Sequence, residues 1–236
     1  MDIQIKKNQE FKLPLAKKYV EEDINIITEV DDYAFKSLVD GTITRITKQD
    51  LAGITSIRDY AFYGCKITEA ELPNTITAMG RNCFQNNLFE EFVVPDSVIT
   101  MSLYIFQGCT NLKKVTIGKN VTGFGNGVFD GCTGLTYIEV PDSVKSISWY
   151  VFQRCSNLKK LKIGTGVTSI SGCFNGCNSL KEIICLAEKP PKFDAQNLNQ
   201  LPADCIFKVP ANSVEAYKIA TNWSARADYI VAYEEE

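Results

Sequence analysis

The chain of 236 residues contains no histidine. That excludes histidine-based catalytic triads and histidine-ligated metal sites. It has no apolar run approaching the ~18 residues a membrane-spanning helix needs, so no membrane insertion is expected. It has no block of Lys or Arg: the formal net charge is −3 and the pI about 5.3. Neither nucleic acid nor an anionic membrane is therefore the expected partner. There is no Cys-x-x-Cys pair and no GxxxxGK[ST] phosphate loop. The first ten residues, from Met1 to Glu10, hold Lys6 and Lys7 but no apolar stretch after them, so they do not read as a signal peptide.

What the chain has is a repeat. A ladder of phenylalanines, Phe62, Phe84, Phe106, Phe129, Phe152 and Phe174, recurs at steps of 22, 22, 23, 23 and 22 residues. A branched aliphatic (Ile54, Ile76, Val98, Val121, Val144) stands eight residues before each of the first five, and Val167 stands seven before the sixth. Three residues after that aliphatic comes a second apolar residue: Ile57, Met79, Met101, Phe124, Ile147 or Ile170. After each Phe follows an apolar triplet spaced L-x-x-V-x-I, such as Leu112, Val115 and Ile117. The length differences fall between Phe and triplet in the first two repeats and just before Phe174 in the last, where turns are expected to tolerate them.

Each repeat thus carries two short β-prone runs, such as Lys114–Ile117 and Val121–Phe124, separated by Pro-Asn/Asp-Ser/Thr or Gly-Lys-Asn turn chemistry. Strand alternation puts Val115 and Ile117 on one side, Lys114 and Thr116 on the other. One repeat cannot bury its apolar side alone, so stacked neighbours must share a core. Gly123 to Gly127 is glycine-rich, but in other repeats Tyr and Asn stand there, so it reads as a turn and not a phosphate cradle.

The pattern Ile-x-x-Ile-x-x-x-Ala-Phe-x-x-Cys … Leu-x-x-Ile-x-Val-Pro-x-Ser resembles the BspA-like (treponemal-type) leucine-rich repeats. Ile54–Ser97 and Val121–Ser143 carry it most plainly, and Phe207–Trp223 resembles the family's closing segment. The resemblance covers about residues 27–231. It implies a strongly β-rich α/β leucine-rich-repeat solenoid: a right-handed stack of six to seven repeats of 22–23 residues, with two short parallel strands per turn and a short C-terminal capping helix. Relatives of this type are commonly exported surface proteins. That implies a cell-surface or secreted location, whereas the unsignalled Met start suggests an intracellular or phage protein.

The chain reads as one domain, 1–236. Residues 1–26 would cap the first turn through Phe11, Leu13, Leu15, Tyr19 and Val20. Residues 27–53 form a degenerate repeat, in which Ile27, Val30 and Phe35 match Ile54, Ile57 and Phe62 and Asp31–Phe35 echoes Arg58–Phe62. Six regular repeats span 54–191. Residues 192–236 close the stack with a loop, a strand at Cys205–Val209 and a helix opened by a capping box at Asn212–Glu215, placing Val214, Tyr217 and Trp223 on the last turn. The acidic end, Glu234 to Glu236, reads as a solvated tail.

Nine cysteines are present. Cys65, Cys109, Cys132, Cys155 and Cys177 stand three residues after a ladder Phe, and Cys83 and Cys173 directly before one. These positions predict reduced core thiols. An odd count in a large repeat core does not suit a disulfide framework. Cys173 and Cys177 have tolerable zinc-ligand spacing but no accompanying pair, so neither metal nor cofactor is expected.

The outward triplet positions, Glu69, Glu71, Glu91, Lys114, Thr116, Tyr137, Glu139, Lys160, Lys162 and Glu182, with Val93 and Ile184, form a candidate binding face. Charge runs from acidic to basic along it, and Tyr137 is its one aromatic, which suits a protein or glycan partner bound by a monomer. A solvated sheet face with its contacts elsewhere is the alternative. Tyr60, Tyr104, Trp149 and Tyr150 share a turn position and are expected to pack between turns rather than form a second patch. The expected function is a non-catalytic interaction or adhesion-type module. A structural spacer or phage-associated display domain is a second reading. A carbohydrate-active enzyme, needing two carboxylates ~5–9 Å apart across a cleft, is a remote third.

Overall fold

In the computed structural model, residues 29–32, 34 and 44–235 are described. The expected N-terminal cap and the positions Ile27, Tyr33 and Phe35 of the degenerate repeat lie outside them. Two series of short parallel strands stack along one axis. The V-x-x-I runs build an eight-stranded sheet: β1 (Glu29–Val30), β3 (Ser56–Ile57), β5 (Ala78–Met79), β7 (Thr100–Met101), β9 (Gly123–Phe124), β11 (Ser146–Ile147), β13 (Ser169–Ile170) and β15 (Lys192–Phe193). The triplet runs alternate with them: β2 (Arg45–Ile46), β4 (Glu69–Ala70), β6 (Glu91–Val93), β8 (Lys114–Thr116), β10 (Tyr137–Val140), β12 (Lys160–Ile163), β14 (Glu182–Cys185) and β16 (Ile206–Val209). A final strand, β17 (Ile230–Ala232), pairs in parallel with β16. This is a β-rich leucine-rich-repeat solenoid with short C-terminal helices.

The triplet series is not one sheet. It is broken into β2–β4, β6–β8 and β10–β12–β14–β16–β17. Both breaks share one feature. The incoming strands β6 and β10 lead into Pro95 and Pro141, which have no N–H to return to the turn before. β4 leads into Pro73 in the same way and still pairs with β2 over two residues, so the proline shortens the ladder without abolishing it alone. Where the following residue is Gly164, its N–H donates to the Val140 carbonyl at 2.9 Å and the ladder continues. At Pro210 the sheet survives, but β14 and β16 share three registered pairs where β12 and β14 share four.

Between the sheets lies the core. Phe62, Phe84, Phe106, Phe129, Phe152 and Phe174 are all fully buried. Their rings stack in file, with centroids 5.4, 6.1, 5.7, 6.1 and 6.3 Å apart and planes within 11° of parallel. A repeat that returns each Phe to the same place in every turn can only produce such a column. All nine cysteines are free and buried.

The second turn replaces the ladder cysteine with Asn87, also fully buried. Its amide donates to the carbonyls of Phe62 and Phe84 at 2.8 and 2.9 Å, and its oxygen accepts the Ile67 N–H at 2.9 Å.

The C-terminal end departs from expectation in detail. Residues after the Lys189–Lys192 break, expected as a loop, form a helix, α1 (Ala195–Gln200), capped by the Asp194 carboxylate on the Gln196 N–H. Buried Asn197 accepts the Cys173 N–H and donates to the Ile170 carbonyl, so the last turn's backbone stays satisfied. The second helix, α2 (Val214–Ile219), follows a 3-10 turn over Ala211–Ser213, and no side chain caps it. The capping box expected at Asn212 is therefore not formed, because the 3-10 turn moves the helix start past Asn212. Tyr217 and Trp223 close the core: Trp223 stands 4.5 Å from Phe193 and 5.2 Å from Phe207, and its indole N–H donates to the Pro191 carbonyl.

Candidate functional site

Strand alternation sends one side chain in and the next out, and in β10 the burial pattern follows it through Tyr137, Ile138, Glu139 and Val140. The expected outward residues all lie on this outer face. Glu69, Glu71, Glu91, Lys114, Thr116, Tyr137 and Glu139 are exposed, while Lys160, Lys162 and Glu182 are half-buried. Val93, at 57%, is among the most exposed apolar residues.

Ile184 is the exception. Expected to face outward and be accessible, it is only 2% exposed. Its register partners are Lys162 and Lys208, whose aliphatic stems flank it. Tyr233, just beyond β17, also reaches this area, close enough to act electrostatically on both Lys162 and Tyr137. The flanking residue Lys208 comes from outside the six regular repeats.

The face divides into two halves. At the N-terminal end one guanidinium, Arg45, lies 3.3 Å from Glu69 and 3.0 Å from Glu71. That ties both carboxylates to one cation rather than facing them across a cleft. From β10 onward the charges are laced laterally. The Tyr137 hydroxyl donates to Glu139 at 3.1 Å, Lys162 pairs with Glu139 at 2.9 Å, and Glu182 sits between Lys160 at 3.0 Å and Lys208 at 2.7 Å. Burial works against the Glu182 carboxylate, but hydrogen bonds from Lys208 and Lys160 outweigh it and hold its pKa below the ordinary value. The hydrogen bond to Glu139 raises Lys162, and partial burial, with Glu139 beside it, raises the Tyr137 phenol. Lys208 was not among the expected residues, because it lies outside the regular repeats.

Between the halves, where β8 and β10 do not pair, a crevice of ≈ 460 Å³ opens. Lys114, Thr116, Tyr137 and Glu139 line it, with Val115 and Ile138 at its base. Tyr137, 41% exposed, stands at its edge.

A second concave region lies at the turns before and after each ladder Phe. Tyr104 lies against Gly127 and Trp149 against Gly172, so these aromatics do pack between turns, as expected. They also wall open hollows, which was not expected. One, ≈ 560 Å³, is lined by Tyr60, Tyr63 and Tyr104, and the next, ≈ 450 Å³, by Tyr104 and Tyr150. Along their floor a chain of polar side chains crosses four turns. Asn82 donates to Gln85, Gln85 to Gln107 at 2.7 Å, and Gln107 to Asp130 at 2.8 Å. Arg154 grips the same carboxylate through Nε at 2.9 Å and Nη2 at 2.6 Å. Among the described residues, no helix is long and apolar enough to cross a membrane.

Six copies of the BspA type leucine rich repeat region match within residues 28–159 and 77–192. A solved leucine-rich repeat protein from Bacteroides ovatus ATCC 8483 is 19% identical, with a TM-score of 0.42. The match covers 72% of this chain and 54% of that one, so the chain spans about half its length. The T. pallidum leucine rich repeat protein is 24% identical, with a TM-score of 0.51, over 76% of this chain and 73% of that one. A leucine rich cell surface protein from Faecalibacterium prausnitzii A2-165 is 17% identical, with a TM-score of 0.39, over 71% and 57%. The treponemal likeness shows a shared fold. No curated protein matches.

Proposed function

Because the chain belongs to the BspA-type leucine-rich repeat family, we propose that it is a non-catalytic interaction module that binds a protein partner on the outer face of its triplet strands. The observation that carries this reading is the interrupted ladder. It leaves a crevice between β8 and β10, and four of the candidate face residues, Lys114, Thr116, Tyr137 and Glu139, surround it. An exposed tyrosine beside a partly apolar crevice, rimmed by charges of both signs, has the make-up of a protein-binding hot spot. The laterally paired lysines and carboxylates hold the rim in one arrangement, so fewer side chains need ordering on association. The repeat family supports an adhesion-type role as the finer form of this reading, with the partner presented outside the cell.

The test is surface plasmon resonance against purified matrix and cell-surface glycoproteins, followed by Tyr137→Ala and by the charge reversal Lys160→Glu with Lys162→Glu. Saturable binding to a protein, weakened about 10-fold or more by Tyr137→Ala, is the expected result. A bound protein whose affinity ignores all three substitutions would move the site off this face.

A further inference from the structure

Two residues before the ladder Phe, the backbone is left-handed in five successive turns: φ is +58° at Tyr60, +55° at Asn82, +56° at Tyr104, +63° at Gly127 and +64° at Tyr150. Glycine takes this conformation freely and asparagine with little cost, whereas other L-residues lose roughly 1–2 kcal/mol there. The second and fourth turns carry the residues this geometry favours. The first, third and fifth carry tyrosine, which it does not. None of the three rings is fully buried: Tyr150 is 42% exposed, and Tyr60 and Tyr104 are half-buried. A side chain kept against its backbone preference and left accessible points to contact with something outside the chain.

The rings recur at every second turn, roughly 9.6 Å apart at the spacing of stacked strands. The two hollows they wall share Tyr104 and Gln107, so they run on as one groove along the solenoid. The floor is made of amides and one carboxylate, fixed in direction by the chain from Asn82 to Asp130. Charge is sparse in the groove. The one lining carboxylate, Asp130, is matched by Arg154, and Arg81 stands at the far end.

We propose that this groove is a second binding site, separate from the triplet face, for a linear, neutral β-1,4-linked polysaccharide. Flat rings with an apolar face and a hydroxyl edge complement pyranose faces, and amide groups both donate to and accept from sugar hydroxyls. In a β-1,4 chain successive units are flipped by half a turn, so one face recurs at every second sugar. Two sugars in extended form match the distance from one tyrosine to the next. The polar lining is mainly uncharged amide, from Asn82, Gln85, Gln107 and Gln153, which suits a neutral ligand.

Isothermal titration with cellohexaose, xylohexaose and mannohexaose tests this, with the α-1,4-linked maltohexaose as the mismatched chain. At least one β-1,4 hexasaccharide should bind with Kd below about 1 mM, and maltohexaose at least about 10-fold more weakly. Tyr104→Asn with Tyr150→Gly installs residues that neighbouring turns carry at the same place, so the backbone conformation is kept. This variant should lose about 10-fold or more in affinity, with an unfolding midpoint no lower than that of the wild type. The triplet-face variant with Tyr137→Ala, Lys160→Glu and Lys162→Glu should bind the sugar normally. The proposal is overturned by no heat of binding at about 5 mM of any hexasaccharide, by unaltered affinity in the tyrosine variant, or by loss of affinity in the triplet-face variant.

Discussion

The thiol of Cys132 points back along the solenoid and donates to the carbonyl oxygen of Phe106, 3.1 Å away in the preceding turn. The same carbonyl accepts the N–H of Cys109 within its own turn, at 3.0 Å. Cys109, Cys155 and Cys177 make the equivalent thiol bonds to Phe84, Phe129 and Phe152 at 3.2, 3.1 and 3.0 Å. In these four turns the cysteine is thus a small apolar filler that also spends its weak donor on a buried acceptor of its neighbour.

This arrangement sets an alkaline limit on the fold. Burial pushes Cys109 and Cys177 up to about 12. In the unfolded chain a thiol ionises near 8.5. The folded state therefore holds protons that the unfolded state releases, and stability falls as pH rises between about 9 and 12, by about 1.4 kcal/mol per pH unit for each fully affected thiol. Below pH 8 these groups should contribute no pH dependence. Urea midpoints at pH 8 and pH 10.5 should show a steep loss, and Cys109→Ala with Cys177→Ala should make it shallower by the share of these two thiols, the other buried thiols keeping theirs. Equal slopes in variant and wild type would place the alkaline sensitivity elsewhere.

Asn87 offers a second test, because it replaces the thiol with a fully engaged amide. Asn87→Ala strands the Ile67 N–H and removes donors from the Phe62 and Phe84 carbonyls. The expected cost is about 2–4 kcal/mol, mainly from the buried N–H left without an acceptor. Asn87→Cys, which restores a donor but no acceptor for Ile67, should fall between wild type and alanine in chemical denaturation.

These residues mark where sequence reasoning reached its limit. The Phe column, the buried thiols and both strand series were legible because an apolar period of 22–23 residues can satisfy burial in only one stacked register. Asn87, Asp130 and Asn197 were not, because a polar residue in a core position carries no periodic signal until its partners, one turn away, are known. The outward face was legible from alternation, but Ile184 was not, since the chain that covers it lies beyond the repeats. The left-handed tyrosines gave only a positional hint: Tyr60, Tyr104 and Tyr150 share an offset with Asn82 and Gly127, residues that tolerate positive φ. That mixture was the available clue to the groove.

The pair Arg154 and Asp130 should respond asymmetrically. Asp130 is nearly inaccessible, with its side chain 3% exposed, while that of Arg154 is 62% exposed. Removing the arginine leaves a buried carboxylate with only Gln107 as a side-chain donor, so Arg154→Ala should cost about 2–3 kcal/mol. Asp130→Asn leaves the guanidinium to water and keeps an oxygen acceptor, at about 1 kcal/mol. Arg154 also sits at φ +59°. Arg154→Gly should therefore be less damaging than Arg154→Ala by about 1 kcal/mol. Denaturant midpoints of the three variants give this order directly, and a larger loss for Asp130→Asn than for Arg154→Ala would contradict it.

If Pro141 interrupts the ladder because it lacks an N–H, then Pro141→Gly, the residue used at Gly164, should let the end of β10 donate to β8. One added backbone hydrogen bond contributes about 0.5–1.5 kcal/mol. The loss of proline's constraint on the unfolded chain costs a comparable 0.4–1 kcal/mol or more. Global stability should therefore hardly move, and the diagnostic lies in local protection. Amide hydrogen exchange across Tyr137–Val140 should slow, by about 10-fold if local opening becomes 1.4 kcal/mol less favourable, while exchange in β12 stays as it was. The crevice lined by Thr116, Tyr137 and Pro141 should narrow with it, and a protein bound on that face should weaken. Unchanged exchange in β10 would mean that the break is set by side-chain packing at the crevice and not by the missing N–H of the proline.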